Sequence, residues 1–219
     1  NWYDKVYGTG TRTHHNISAT GGSDRVRFFA SIGYLNEDGN IDNYGYNRLN
    51  LRSNIDAKLT KSLTFTLGVS GRIEKRDSPR YSADPNAWHN VPQQIIRALP
   101  YVPDTYEYEG KTYNVSTPTA SSPVAPVASI NESGYSKSNY SYIQSNFSLK
   151  YDAPWLKGLS FKFQGAYDLT YNFSKILSNP YEVMIMNLPT IESTSLTYYK
   201  GTDASGNSYC RSYVPGRNP

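Results

Sequence analysis

The residues of this 219-residue chain that are suited to catalysis or metal binding form no recognisable Ser/His/Asp or paired-carboxylate constellation. The acidic run Asn36-Glu37-Asp38-Gly39-Asn40, with Asp42, has the composition of a calcium loop. It lacks the EF-hand spacing and the closing Glu, so we favour a turn over a metal site. His14 and His15 are adjacent, and in a strand they face opposite sides, which prevents joint chelation of one metal. We therefore predict no catalytic residues, no metal, no cofactor and no enzymatic activity.

Charge and cysteine usage exclude two further classes. Lys and Arg total 22 against 18 Asp and Glu, and the two signs are interspersed, so no nucleic-acid-binding patch is indicated. Cys210 is the single cysteine, which excludes an internal disulfide and argues against a cysteine-based zinc site.

Aromatic side chains in a long irregular segment are the best candidates for ligand binding. Flat rings stack on sugar faces, and loops mounted on a rigid scaffold commonly carry recognition. The competing interpretation, which we favour, is that these rings pack the loop onto itself or onto a partner, because ordering a long loop requires apolar anchors. The candidates are Tyr81, Trp88, His89, Tyr101, Tyr106, Tyr108 and Tyr113.

Six stretches that alternate apolar and polar residues must position those loops. Successive strand residues point to opposite faces, so each stretch has one apolar and one polar face. The polar faces carry charges that a protein core would reject, and the stretches are longer than usual soluble strands. This combination predicts an antiparallel, all-β transmembrane barrel with lipid outside and water inside. The predicted strands are Thr11–Thr20, Arg25–Leu35, Tyr46–Leu59, Leu63–Lys75, Asn139–Tyr151 and Leu159–Phe173.

The connections between these strands differ systematically in length. Those after the first, third and fifth strands are short, and those after the second, fourth and sixth are longer. Outer-membrane barrels place short turns in the periplasm and long loops outside, so we predict extracellular loops at 76–137 and 174–219. Within them, Pro85–Leu99 has the pattern of a short helix and Tyr181–Met186 that of a short strand.

Several segments, in order, resemble the SusC/RagA family of TonB-linked outer-membrane transporters. They are Asn1-Trp2-Tyr3-Asp4-Lys5-Val6, His15 to Asp24, Phe29-Ala30-Ser31-Ile32-Gly33-Tyr34-Leu35-Asn36-Glu37-Asp38-Gly39, Asn50 to Asp56, and Leu63 to Ser70. The resemblance implies a barrel of about 22 strands around a plug domain, in the outer membrane of a bacterium of the Bacteroidota. It implies nutrient import of oligosaccharides or peptides with a SusD-like surface lipoprotein as lid. The energy would come from the TonB-ExbB-ExbD complex through a TonB box.

We interpret residues 1–219 as a single partial barrel domain from which the plug and the TonB box are absent, because six strands cannot close such a barrel. On this interpretation the luminal charges contact only plug and water. These are Arg52, Asp56, Arg72, Glu74, Lys162 and Asp168. Two alternatives stay open: a TonB-dependent siderophore receptor, and a soluble β-rich carbohydrate-binding or adhesion module.

Overall fold

The computed structural model describes residues 2–80, 91–108, 110–116, 125–179, 181–187, 197–199 and 211–213. Helices and strands are numbered separately in chain order. The elements are α1 (Trp2–Val6), β1 (Arg12–Gly22), β2 (Val26–Asp38), β3 (Gly45–Lys58), β4 (Leu63–Pro79), α2 (Val91–Arg97), β5 (Thr105–Tyr108), β6 (Lys111–Ser116), α3 (Pro126–Asn131), β7 (Gly134–Asp152), β8 (Ser160–Ser178), β9 (Tyr181–Asn187), β10 (Thr197–Tyr199) and β11 (Arg211–Tyr213).

In the described part of the chain, six long strands form one antiparallel sheet in the order β1-β2-β3-β4-β7-β8, which we call the wall sheet. All six predicted strands are confirmed. The last three are longer than predicted at the end that carries the long connections: β4 continues to Pro79, β7 begins at Gly134 and β8 continues to Ser178. The alternation is lost there because Lys75 and Asp77 occupy the face that is apolar elsewhere, although the backbone pairing continues.

The register of the wall sheet keeps the two faces separate across every strand. Phe28 lies opposite Ile55, Ile55 opposite Leu67, and Leu67 opposite Phe147, so apolar side chains form continuous rows. A slip of one residue at any of these pairs would move a whole strand's apolar set to the other face. The sheet therefore has one apolar face and one polar face.

The apolar face is exposed to the surroundings rather than covered by protein. The side chains of Phe163 and Tyr167 are 64% and 65% exposed, and similar values hold along β8. A contiguous exposed apolar surface of this size marks contact with another apolar phase. On β4 this face extends from Leu63 to Ile73, the length of a tilted strand that crosses a bilayer, roughly 9–11 residues. Among the described residues, no helix is long and apolar enough to cross a membrane.

The short connections have local turn chemistry. In the β1–β2 turn, the hydroxyl oxygen of Ser23 accepts hydrogen bonds from the backbone N–H groups of Arg25 and Val26. In the β3–β4 turn, the hydroxyl oxygen of Thr60 accepts one from the N–H of Ser62 at 3.2 Å. Gly158, before β8, has a φ of 93°, which glycine adopts without steric cost. All three turns lie at one end of the wall sheet.

The opposite end of the wall sheet carries a second packed unit, which we call the cap. It contains α1, α2, α3, the β5–β6 hairpin and β9, which pairs in parallel with β6. One apolar cluster joins Trp2 to Ala98, Val102 and Val115. A second, of Val6, Ile41, Val91 and Ile130, reaches the β2–β3 connection.

The structure locates the two elements predicted within the long segments. The helix predicted over Pro85–Leu99 corresponds to α2, which covers Val91–Arg97, while 85–90 lie outside the described residues. The strand predicted at Tyr181–Met186 is β9, Tyr181–Asn187.

Within the cap, two polar contacts join α1 to the segment that follows α2. The indole N–H of Trp2 donates a hydrogen bond to the carbonyl oxygen of Leu99 at 2.8 Å. The ammonium of Lys5 lies 2.5 Å from a carboxylate oxygen of Asp104. The hydrogen bond from Lys5 lowers the pKa of Asp104 below its ordinary value of 3.8.

The exposed apolar face predicts a strong asymmetry between neighbouring positions of β8. Leu169→Arg places a charge on that face near the middle of the strand and should cost about 2–4 kcal/mol if the face contacts lipid. Thr170→Arg, one residue later, points to the polar face and should cost less than about 1 kcal/mol. The measurement is the denaturant midpoint of the full-length protein refolded into liposomes, and equal midpoints would contradict a lipid-facing surface.

The Lys5–Asp104 pair predicts pH-dependent stability of the cap. Because the folded-state pKa of Asp104 is lowered, the stabilisation is present above pH 3.8 and is lost as the pH falls through the folded-state pKa. Both side chains are partly exposed, so Lys5→Gln should cost no more than about 1 kcal/mol at neutral pH and nothing well below the folded-state pKa of Asp104. Hydrogen exchange of the Ala98 and Val102 amides measures this. Lys157→Gln, at the opposite end of the sheet, is the matched control.

Candidate functional site

The polar face of the wall sheet collects the charged side chains that the alternation places there. The six predicted luminal residues all lie on this face, since they are in register with polar partners such as Thr66, Ser70 and Gln144. They are not evenly distributed. Lys162 lies near the short turns, Arg52 and Asp168 lie midway, and the densest group lies near the cap.

That densest group, which we call the arginine cluster, consists of Arg48, Arg72, Glu74 and Arg76. Glu74 is 4% exposed, and its two carboxylate oxygens are bound separately. Arg72 Nε lies 3.0 Å from one oxygen, and Arg76 donates from Nη2 to the other at 3.1 Å. One carboxylate therefore holds two guanidinium groups on the same face.

The strand period explains this arrangement. Residues 72, 74 and 76 of β4 are two apart, so their side chains point to the same face. Register places Arg48 of β3 on one side of Glu74 and Tyr140 of β7 on the other. The Nε atom of Arg48 is buried and has no hydrogen-bond partner among the described residues.

Three tyrosine rings contact the guanidinium groups of the cluster. The guanidinium carbon of Arg72 lies 4.4 Å from the centre of the Tyr142 ring. That of Arg76 lies 5.1 Å from the ring of Tyr140 and 5.7 Å from that of Tyr46. These cation–π contacts orient the two guanidinium groups against the sheet.

Two grooves continue from the cluster along the polar face. The first, of about 330 Å³, is lined by Asn50, Arg52, Ser70, Arg72, Tyr142 and Gln144. The second, of about 380 Å³, has Arg52, Asn54, Gln144, Asn146 and Asp168 in its lining. Arg52 belongs to both grooves, so hydrogen-bonding side chains line the whole distance from the cluster to the middle of the sheet.

A larger recess of about 730 Å³ lies at the outer end of strands β1 to β4. Arg12 and Glu37 form a salt bridge of 2.8 Å at its rim, and Arg76 and Tyr46 belong to its lining. The arginine cluster is therefore accessible from this recess as well as from the grooves.

The predicted loop aromatics occupy different environments. Tyr101 and Tyr108 are 61% and 42% exposed. Tyr106 packs against the Trp2 cluster and is in register with Tyr113, whose ring lies 4.8 Å from the ammonium of Lys111. Their role in ligand binding stays a prediction. Tyr81, Trp88 and His89 lie outside the described residues.

The other polar groups considered from sequence have structural surroundings. Asp38 accepts a hydrogen bond from the Thr11 hydroxyl at 2.6 Å, and the N–H of Gly39 donates to the carbonyl of Tyr44 at 2.8 Å, which closes the β2–β3 connection. His14 and His15 pair with successive residues of β2 and point to opposite faces. Within the described ranges, no three His, Cys, Asp or Glu side chains are grouped as metal ligands would be.

The sequence pattern alone does not single out Arg48, Arg76, Tyr140 or Tyr142. All four lie on the polar faces of their strands, and the alternation of apolar and polar residues predicts that much. Their proximity depends on the β3–β4 and β4–β7 registers, and the second spans a connection of more than fifty residues. Sequence periodicity carries no information about that register.

The wall sheet is an arc of a transmembrane β-barrel, since its two faces, strand lengths and turn arrangement are those of such a barrel. No family model matches the chain. It is 32% identical over 76 residues to TonB-dependent receptor P3 of Formosa agariphila, which covers 35% of this chain and 8% of that protein. It is 30% identical over 74 residues to TonB-dependent receptor P39 of the same organism. That match covers 34% of this chain and 7% of the relative. The chain thus matches less than a tenth of the length of these relatives.

Solved structures show the same fold. The RagAB peptide importer in its closed-closed state superposes with a TM-score of 0.57 and 20% identity, over 89% of this chain and 20% of that one. A second structure, of the RagAB peptide transporter, superposes with a TM-score of 0.55 and 22% identity. That match covers 79% of this chain and 19% of the transporter chain. The chain is therefore similar in sequence to part of TonB-dependent receptors and has the fold of a segment of the RagAB structures, and the predicted location in the bacterial outer membrane is confirmed.

The geometry of the cluster predicts that Glu74 stabilises the wall. Glu74→Ala removes the acceptor of two charge-assisted hydrogen bonds, from Arg72 and Arg76, and should lower the free energy of unfolding by about 1–3 kcal/mol. The denaturant midpoint of the full-length barrel in liposomes measures this. Asp168→Ala removes an exposed carboxylate from the same face and should cost less than about 1 kcal/mol. Equal midpoints for the two variants would contradict the assigned role.

Proposed function

We propose that this chain is part of the wall and outer surface of a TonB-dependent outer-membrane transporter that imports oligosaccharides or peptides. The observation that carries the proposal is the two-faced wall sheet: the apolar face is exposed, and the opposite face has charged side chains along its whole length. A soluble binding module would leave the apolar face in water, at a cost of about 25 cal/mol for each Å².

The orientation of the segment follows from its two ends. The short turns lie in the periplasm, and the cap, with the segments 76–137 and 174–219, lies outside the cell. Within the described residues, β1 and β8 are the edges of the wall sheet. Unpaired backbone groups are not tolerated in lipid, so further strands adjoin both edges and complete a barrel of about 22 strands. Residues 1–219 then form one partial barrel domain, and the plug and TonB box lie elsewhere in the protein.

The proposed partners act on the two ends of this wall. A SusD-like lipoprotein covers the outer opening, and the TonB-ExbB-ExbD complex supplies energy from the inner membrane through the plug side. Oligosaccharide and peptide are both retained as substrate classes. The two similar solved structures, a peptide importer and a peptide transporter, support the second. No catalytic step is assigned to this chain.

Exposed rings of the cap are the proposed first contacts for ligand or for the lipoprotein. Tyr101 and Tyr108 present large aromatic surfaces on a packed support, which is the arrangement that binding hot spots use. We include the remaining predicted aromatics, Tyr81, Trp88, His89, Tyr106 and Tyr113, as candidates for the same surface.

This proposal predicts that removing the exposed rings weakens uptake without affecting folding. The double variant Tyr101→Ala/Tyr108→Ala should reduce affinity for imported oligosaccharide or peptide by about tenfold. The measurements are titration of the detergent-purified full-length protein and growth on that nutrient as sole carbon source. Tyr151→Ala, on the apolar face near the short turns, is the matched control and should leave affinity unchanged.

The membrane assignment has a separate test. Full-length protein should remain in the outer-membrane pellet until detergent is added. Recovery of folded protein in the aqueous fraction without detergent would contradict the transporter proposal, whatever the tyrosine variants show.

A further inference from the structure

The arginine cluster carries more positive charge than the residues around it neutralise. The guanidinium groups of Arg72 and Arg76 bind one carboxylate, that of Glu74, and Arg48 lies directly opposite Glu74 on β3. The local net charge is therefore positive although Glu74 is fully engaged. On the same face, Arg52 extends this positive charge toward the middle of the wall sheet.

The cluster also has more hydrogen-bond donors than the carboxylate of Glu74 can accept. Each guanidinium has five N–H donors, and a carboxylate has two oxygens. Glu74 accepts from Arg72 and Arg76, whose side chains are still 46% and 58% exposed. The buried Nε of Arg48 has no acceptor among the described residues. Buried donors without acceptors are rare in folded proteins, so the cluster needs an acceptor that the described residues do not supply.

The tyrosine contacts prepare the guanidinium groups for such an acceptor. The guanidinium of Arg72 lies over the Tyr142 ring, and that of Arg76 lies over the rings of Tyr140 and Tyr46. A guanidinium that stacks on a ring has its face occupied while its N–H groups remain along its edge. That edge is the geometry that binds a planar carboxylate with two parallel hydrogen bonds.

The position of the cluster suits a ligand that enters from outside. Glu74 follows directly after Ile73, where the apolar band on β4 ends, so the cluster lies at the outer end of the membrane-spanning part. Arg76 lines the recess beside the cap, and Arg72 and Arg52 line the grooves that continue inward. A ligand moving along this face passes the arginines in the order 76, 72, 52.

We propose that the arginine cluster is a binding site for carboxylate groups of the imported ligand, which is therefore an acidic oligomer; this rests on the proposed transport function. Arg48 and Arg72 bind the ligand carboxylate, and Glu74 holds Arg72 and Arg76 in position. The carboxylate belongs either to an acidic sugar residue or to an acidic side chain of a peptide. The competing occupant is an acidic side chain of the plug domain, which would use the same donors structurally.

The test uses matched acidic and neutral probes on the detergent-purified full-length transporter. One pair is a galacturonate tetramer and its methyl ester, and the other is a Glu-Gly hexapeptide and its Gln-Gly counterpart. The wild-type protein should bind the acidic member of at least one pair about tenfold more tightly at low salt, since hydrogen bonds to charged groups are the stronger ones. The pair that shows the preference identifies the source of the carboxylate.

The variant Arg48→Gln/Arg72→Gln should reduce this preference to within about twofold, mainly by weakening acidic-probe binding. Arg27→Gln removes a positive charge from the same face near the short turns and should keep the preference. A denaturant midpoint within the range of the control shows that the double variant is folded.

Three results would overturn the inference. Equal weakening of acidic and neutral probes in the double variant shows that the arginines support the plug or the wall. Wild-type binding of neutral probes without any acidic preference removes the carboxylate site and leaves the transport function intact. Failure of every probe to bind, together with failure of import in cells, overturns both the carboxylate site and the transport function.

Discussion

The absence of water from the interior of a bilayer is the constraint on which the rest of this structure depends. Every backbone N–H and C=O within the lipid must find its partner in a neighbouring strand. This requirement forces a continuous ladder from β1 to β8, and the ladder sets the register of every neighbouring pair. The register in turn aligns the apolar side chains on one face. The separation of lipid-facing rings from the polar face is thus a consequence of backbone pairing.

Outside the lipid, the long connections must bury enough apolar surface to become ordered. The cap does so with two small apolar clusters and a buried polar network. The hydroxyl of Ser129 donates to the side-chain oxygen of Gln94 at 2.9 Å, so the hydroxyl of Tyr181, also at 2.9 Å, is the donor to Ser129. This network ties α2 and α3 to β9, which joins the connection after β4 to the segment after β8. This packing holds the exposed Tyr101 and Tyr108 at the cap end of the wall sheet.

The parts of the fold and of the site that depend on local sequence signals can be predicted from the sequence, and the parts that depend on distant partners cannot. The alternation of Leu63 to Ile73 with polar neighbours predicts β4 and its faces without any knowledge of partners. The same signal stops at Lys75, where the strand leaves the apolar band, so the strand ends could not be read. The α1 helix is too short for periodicity to reveal, and its stability comes from Trp2 packing on distant residues. The pairing of Glu74 with Arg72 could be inferred from a spacing of two, whereas its position between Arg48 and Tyr140 depends on inter-strand register.

The hydrogen bond between Trp2 and Leu99 bears on the order in which the protein is assembled. Its two residues are 97 positions apart, and the cluster that buries the indole also includes Val115. The hairpins of the wall, by contrast, join strands through turns of a few residues. During synthesis, the indole of Trp2 therefore stays without its packing partners until the chain has been made as far as Val115. The cap can therefore close only after β1 to β4 have all been synthesised.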